Sequence, residues 1–514
     1  MPVDRQAGVL NPVKQETGIQ ETAATIANCR YGVASSEAEA GKIPTLGAGW
    51  FLKFSSPIWG APLPSNGAEL VHVFKVFQEK TPEGVYLPDY RTIIPLDPSF
   101  ANYIKANPGH LWLIGNEVDR GPNPGDLFGG QGDMYPNIYA LAYHEVRQFI
   151  LLHDPTARIG ISGLVEVTPG RLQYLTRVWN AYSTLYDAPM PVDVWNMHLY
   201  VLPEVDEDGD PNSLANIALG TDANLGKRSS DGDPNQCPNN DVYCYAEHDD
   251  MDVFAEQIVA MRQWMKNHGE QQKPLILSEY SILYSFTNGD GSCWEDEFGN
   301  CFTHARVSTF MDNTFDYFNN HRDANLGYAL DGNRLIQQWL WFSMHMVPGS
   351  NGSISNLLEP DLTTLTTVGH NFKQAVDNEP AVVNLIVEDV PDVVATFDQS
   401  IQAVTASANL SVDFRNNGNR AIEQPFTVTF YKDEARTIEI GSTIVSSQVS
   451  GCVTNTYRAS VTWTGLSAGQ HRFWVTVDSG NVIDEGPPEQ DDNVATGLVD
   501  VKSQGIYLPI VMRK

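Results

Sequence analysis

Two glutamates stand at the ends of short apolar runs, and together their carboxyl groups could do acid–base and nucleophilic chemistry. In Leu111-Trp112-Leu113-Ile114-Gly115-Asn116-Glu117 the apolar run ends in an amide and a carboxylate. Leu275-Ile276-Leu277-Ser278-Glu279-Tyr280 closes on a second carboxylate. Unbroken runs of this kind suit parallel strands covered on both faces. The C-terminal end of such a strand is where an α/β barrel places its reacting groups. Two facing carboxyl groups are the minimum for cleaving a glycosidic bond. Either glutamate alone reads equally well as a helix cap, so the pair is the informative feature.

Other residues fit the same chemistry. Asn116 can hydrogen-bond a sugar hydroxyl beside the scissile bond. His198 and Tyr200, two apart on a strand, point to one face and can hold a nucleophilic carboxylate, unless His198 is a satisfied core histidine. Trp341, near the end of a late strand, is either a platform for stacking a sugar ring or a core aromatic. Arg30 and Lys53, near early strand positions, offer positive charge that would keep a carboxylate ionised. Asp206, Asp208 and Asp210 alternate like the start of a calcium loop, but Ile217 stands where the closing glutamate belongs. That excludes an EF-hand and leaves a looser calcium site or a solvated acidic loop. The chain contains no HExxH, G-x-S-x-G or Walker pattern. No cofactor or metal is expected.

The elements that must position these groups follow an alternating rhythm. Strand-like runs occur at residues 30–35, 49–55, 70–77, 111–117, 158–164, 192–200, 275–280 and 335–342. Helical periodicity falls between them at 98–107, 136–154, 171–186, 254–269 and 304–320, and again at 364–376. The fold class expected is α/β, a (β/α)8 barrel with loop insertions over residues 30–378, followed by an all-β Ig-like sandwich over 379–503. A doubly wound sheet is the rival, but no glycine-rich phosphate fingerprint follows an early strand. Residues 1–29 read as a tail or strap and 504–514 as a C-terminal tail.

Composition bounds the partners. Among 514 residues, 42% are hydrophobic and 10% aromatic, enough for large cores. The net charge of −31, from 63 acidic against 32 basic residues, opposes a nucleic acid or anionic membrane partner and favours a neutral substrate. No run reaches membrane-spanning length, and the N-terminus carries no apolar signal core, which implies a cytosolic protein or a removed signal. Cys237 with Cys244, and Cys293 with Cys301, lie close in sequence within polar stretches, as loop-stapling disulfides do; zinc is the rival, without the usual Cys-x-x-Cys spacing. Cys29 and Cys452 read as unpaired and buried.

Asn116-Glu117 after the fourth strand, His198-x-Tyr200 on the sixth, Glu279 after the seventh and Trp341 after the eighth resemble clan A of the retaining glycoside hydrolases. The resemblance covers about residues 30–378. It implies that Glu117 is the acid/base, Glu279 the nucleophile, and Asn116, His198, Tyr200 and Trp341 substrate-binding residues. The arginine usual after strand two is missing; Lys53 and Arg30 are the nearby cations. Asn416-Asn417-Gly418, Pro425-Phe426 and the stretch from Asp478 through Glu485 to Asp492-Asn493 resemble a CARDB-type Ig-like module. Such modules imply a secreted or surface-located bacterial enzyme. The expectation is a retaining glycoside hydrolase, endo-acting on a polysaccharide or oligosaccharide. A non-catalytic carbohydrate-binding or adhesion protein is the alternative. Transglycosylation would use the same residues, and the sequence does not specify sugar, linkage or oligomeric state.

Overall fold

The computed structural model describes residues 27–121, 131–206, 208–210, 215–284, 293–396, 405–486 and 492–502. The two expected tails lie almost wholly outside them. The chain forms two units, one ending at Pro380 and one beginning at Ala381.

The first unit is built on eight parallel strands: β1 (Asn28–Ala34), β2 (Ala48–Lys53), β3 (Glu69–Phe74), β4 (Leu111–Ile114), β5 (Arg158–Ile161), β6 (Trp195–His198), β7 (Leu275–Tyr280) and β8 (Gln338–Trp341). Each strand pairs with its neighbour in sequence, and β8 pairs with β1. A parallel bridge from Gly160 to Val194 joins the β5 and β6 ends of the sheet, closing it into a barrel. Helices Pro98–Ala106, Pro136–His153, Pro169–Tyr186, Met251–Asn267, His304–Asn320 and Thr367–Asn378 cover the outside. One strand–helix unit departs from the expected rhythm. The β2–β3 connection has no helix, because Pro57, Pro62 and Pro64 with Gly60 and Gly67 deny the backbone a continuous helical ladder.

Strand alternation sorts the side chains into two layers. Trp50, Leu52, Val71, Val73, Leu111, Leu113, Val194, Ile276 and Leu340 fill the lumen. Their sequence neighbours, including Phe51, Phe74, Trp112, Trp195, Leu277, Trp339 and Trp341, pack outward against the helices. The lumen is therefore a packed core.

The third run, read as one strand to Phe77, breaks after Phe74. A hairpin of Val76–Lys80 with Tyr86–Thr92 rises from its end. The other end of the barrel is closed by Arg30, whose guanidinium holds Asp331 at 2.7 Å and the Gln337 carbonyl at 2.9 Å.

The second unit is a sandwich. One sheet joins β9 (Leu385–Asp389), β11 (Ala406–Asn416) and β14 (Tyr457–Leu466). The other joins β10 (Val393–Thr396), β16 (Val494–Lys502), β15 (Gly469–Thr476), β12 (Phe426–Tyr431) and β13 (Glu439–Val445) in that order. Leu410, Val412, Phe414, Val428, Phe430, Phe473 and Val475 meet in its core. Gly418 is obligatory at the Asn416 corner, since a Cβ there would lie 2.2 Å from the Val382 carbonyl oxygen.

Cys237–Cys244 and Cys293–Cys301 are disulfides, as their spacing implied. The reading of Cys29 and Cys452 as unpaired is wrong: both are disulfide-bonded, and no free cysteine remains. Neither has another cysteine nearby in sequence to announce a bond. Among the described residues no helix is long and apolar enough to cross a membrane.

Candidate active site

Glu117, just past the end of β4, and Glu279, in the last pleat of β7, stand at the same rim of the barrel. The chain turns sharply after Ile114: Gly115 donates to the Phe74 carbonyl at 2.8 Å, and Glu117 donates from its amide to the Gly163 carbonyl at 2.9 Å. Glu117 is held at φ 45°, a left-handed conformation that costs a non-glycine residue of the order of 1 kcal/mol. Backbone bonds on both sides impose it, which fixes the direction of the carboxyl.

His198 joins the two glutamates. Its Nδ1 lies 3.2 Å from Glu117 Oε1 and 3.6 Å from Glu279 Oε2. Tyr200 donates its hydroxyl to Glu279 Oε1 at 3.0 Å. One oxygen of each glutamate and one His198 nitrogen all lie within 4.8 Å of one another. The side chains are enclosed, with 7% of Glu117 and 12% of Glu279 exposed. Room for the imidazole comes from β5: a Cβ on Gly163 would sit 2.2 Å from His198 Cδ2.

Burial and the neighbouring Glu117 charge push Glu279 up to about 7, against the opposing pull of His198, Tyr200 and Lys75. Burial works to raise Glu117 too, but the His198 hydrogen bond and charge outweigh it and hold this carboxyl below the ordinary range. Burial alone would lower His198; the two carboxylates raise it instead. Two carboxylates this close share one proton over a wide pH range.

The sequence-named residues do not all meet. Asn116 is there, bonded through Nδ2 to Gln131 Oε1 at 2.8 Å, with its Oδ1 buried and unbonded among the described residues. Trp341 is not a platform. It is wholly buried behind β8, edge-on to Tyr280 at 5.4 Å, with Nε1 donating to the Ser355 carbonyl at 2.8 Å. Leu340 points into the lumen, so alternation turns Trp341 toward the helices. Phe342 takes the inward place, next to Phe54 at 6.0 Å; Phe54 in turn stands edge-on to His198 at 6.3 Å.

Arg30 and Lys53 do not serve the carboxylates. Arg30 is at the far end of the barrel on Asp331, and Lys53 pairs with Glu37. The cation that acts on both glutamates is Lys75, immediately after β3. Reading the strand through to Phe77 concealed its place at a strand end. Arg171 was also unforeseen. From the start of the Pro169–Tyr186 helix it pairs with Asp119, lies 3.1 Å from Glu204, and donates to the Ala215 and Asn216 carbonyls at 2.8 and 2.7 Å. It thereby ties the segment after Glu117 to the long β6–β7 connection.

The two disulfide-bearing connections are fastened to each other. Glu297 accepts from the Ser230 hydroxyl and from the Tyr245 and Ala246 amides, the last two at 2.6 and 2.9 Å. Arg306 bridges Asp249 at 2.6 Å and Asp296 at 2.9 Å. Trp294 stacks on Tyr284 with centroids 5.5 Å apart.

Among the described residues three groups place ligand-type atoms close enough for a metal ion, but two include cysteines that are disulfide-bonded and have no thiolate to give. The third is Glu117, His198 and Glu279. Among the described residues Asp206, Asp208 and Asp210 belong to no such group; the Asp206 amide donates to the Asp210 carbonyl at 2.8 Å.

The CARDB family model matches residues 384–497, so the sandwich is a CARDB domain. No curated protein matches the chain. Among solved structures, an endo-β-1,3-glucanase of Amycolatopsis mediterranei in complex with laminarihexaose is 14% identical, over 67% of this chain and 98% of that one, at TM-score 0.38. A Bacteroides uniformis β-glucuronidase is 12% identical over 92% of this chain and 46% of its own, at TM-score 0.33. A Cellulomonas fimi endo-β-1,4-mannanase is 9% identical over 92% and 94%, also at TM-score 0.33. Likenesses of this size do not by themselves assign an activity.

Proposed function

We propose that this protein is a retaining glycoside hydrolase that cleaves β-glycosidic bonds of a neutral polysaccharide or oligosaccharide, endo-acting, and is secreted or displayed at a bacterial surface. One observation carries the reading: two strand-end carboxylates, with oxygens within 4.8 Å, share one imidazole at one rim of a barrel. Carboxylates that approach this closely support double displacement over inversion, which needs room for a water between its two carboxyl groups. The resemblance to clan A divides the roles.

Glu279 attacks the anomeric carbon as the bond to the glycosidic oxygen breaks, and that oxygen takes its proton from Glu117. Glu117, now a carboxylate, removes a proton from water, whose oxygen attacks the same carbon and releases Glu279. The pair must hold one proton to begin. In the resting site that proton favours Glu279, so productive binding transfers it to Glu117. Tyr200 and His198 orient Glu279, and Phe54 and Phe342 offer apolar ring faces beside them.

A non-catalytic carbohydrate-binding protein is the second reading, favoured by the enclosure of both carboxyls. Incubation with glucan, mannan and galactan oligosaccharides, with and without EDTA, separates the two. Hydrolysis by the wild type, undiminished by EDTA and abolished in Glu279→Ala, with the first product of retained anomeric configuration by proton NMR, is the expected result. Azide rescue then tests the roles: Glu279→Ala should yield the α-glycosyl azide and Glu117→Ala the β-glycosyl azide. Wild-type activity in Glu279→Ala sinks the assignment. Binding without any cleavage favours the second reading.

A further inference from the structure

Lys75 is the charged side chain at this rim that the glycosidase reading leaves without work. It follows Phe74, the last residue of β3, where the strand gives way to the Val76–Lys80 hairpin. Val71 and Val73 point into the lumen while Phe74 and Val76 pack outward, so alternation directs Lys75 inward, above the last lumen layer. Its position is fixed on several sides. The Ile93 amide donates to its carbonyl at 3.0 Å, and Gly115, leading to Glu117, donates to the carbonyl of Phe74. The hairpin is anchored in turn, since Lys80 and Tyr86 both bond Asp133, and Gln78 accepts from the Tyr135 amide at 2.8 Å.

Other partly buried cations of this unit have carboxylate partners: Lys53 has Glu37, Lys80 has Asp133, and Arg306 has Asp249 and Asp296. The Lys75 ammonium forms no hydrogen bond or ion pair with a described residue, although it interacts electrostatically with both Glu117 and Glu279. Burial draws its pKa down and the two carboxylates oppose that. Holding a long, donor-only side chain partly desolvated and unbonded is costly unless an acceptor arrives to complete it.

We propose that Lys75 is a substrate-binding residue, whose ammonium donates to hydroxyl oxygens of the sugar seated between Glu117 and Glu279 and balances the charge of the pair. The inference rests on the glycosidase reading and adds a contact that the clan A resemblance did not assign. The groups facing Glu279 are Lys75 from β3, Glu117 from β4, and His198 and Tyr200 from β6 and its end. Removing Lys75 leaves His198 beside both glutamates, with Arg120 and Arg171 acting on Glu117, and takes one positive charge from the pair, so the shared proton is held more tightly.

The test compares wild type, Lys75→Met and Lys75→Ala on whichever oligosaccharide the wild type cleaves. Lys75→Met should lower kcat/KM roughly 10- to 100-fold, the loss of a hydrogen bond from a charged donor. The alkaline limb of its pH profile should move to higher pH. Lys75→Ala should regain activity on addition of a short primary alkylamine, which a merely structural lysine would not allow. Unchanged kcat/KM, or a loss with neither a shifted limb nor amine rescue, overturns the inference while the glycosidase reading stands. If the wild type cleaves no glycan, both fall together.

Discussion

Glu279 should cost the folded protein stability, and replacing it with glutamine should return that stability in a pH-dependent way. In the unfolded chain the carboxyl titrates near its ordinary 4.5, whereas in the fold burial and Glu117 push it up to about 7. Below pH 4.5 both states hold the proton and nothing is lost. Between those values the folded state binds a proton that the unfolded state has released, so stability falls as pH rises. Above about 7 the full difference is present. At 1.36 kcal/mol per pH unit this is about 3 kcal/mol. Glutamine is nearly isosteric, can still accept from Tyr200, and carries no such penalty. His198 works in the same direction. Its raised pKa stabilises the fold at low pH, so weakening that in Glu279→Gln costs stability only there. Barrel unfolding should be followed by near-UV circular dichroism at pH 5 and pH 8.5, at matched scan rates. Glu279→Gln should melt several degrees above wild type at pH 8.5, at about 2 °C per kcal/mol, and show little or no gain at pH 5. A gain independent of pH, or larger at pH 5, would refute the electrostatic account of the site.

Three further outcomes follow from the same geometry. The kcat/KM profile should fall as pH rises through about 7, because the pair then loses the proton that the leaving oxygen needs. Gly163→Ala should displace the His198 ring from both glutamates and lower kcat/KM by about 100-fold, as misplacement near 1 Å does, while the protein stays folded by circular dichroism; wild-type kinetics would show that the ring is not held where described. Trp341→Leu and Phe342→Ala should separate cleanly. The first removes a buried indole and should destabilise by about 3 kcal/mol with KM unchanged, and the second should raise KM with little change in melting temperature. A raised KM with unchanged stability in Trp341→Leu would restore the stacking role to Trp341.

The barrel was legible because its apolar runs are short, regularly spaced and separated by clear helical periodicity. The His304–Asn320 helix matches its periodic segment at both ends, and Glu117 and Glu279, singled out because each stands at the end of a run, lie beside one imidazole. What stayed hidden was set by single-residue phase. Trp341 and Phe342 are neighbours of similar chemistry, and only the register of Leu340 in the lumen decides which ring faces the cleft. Lys75 was missed for the same reason, since its importance depends on β3 stopping at Phe74. Arg171 and Asp119 are brought together by tertiary packing alone, and no local pattern announces such a pair. The loops between Tyr200 and Tyr280 carry turn residues without periodicity, so their contacts could not be read ahead.

The bond from Glu297 to Ser230, Tyr245 and Ala246 means that the two cysteine-stapled loops cannot evolve independently. A chimera that imports one loop from a relative and keeps the other would strand the Glu297 carboxylate, or the two amides it receives, without a counterpart. Changes in sugar preference along this rim are therefore expected to arise as paired exchanges of both loops, with Glu297 and Arg306 travelling together as the joint between them.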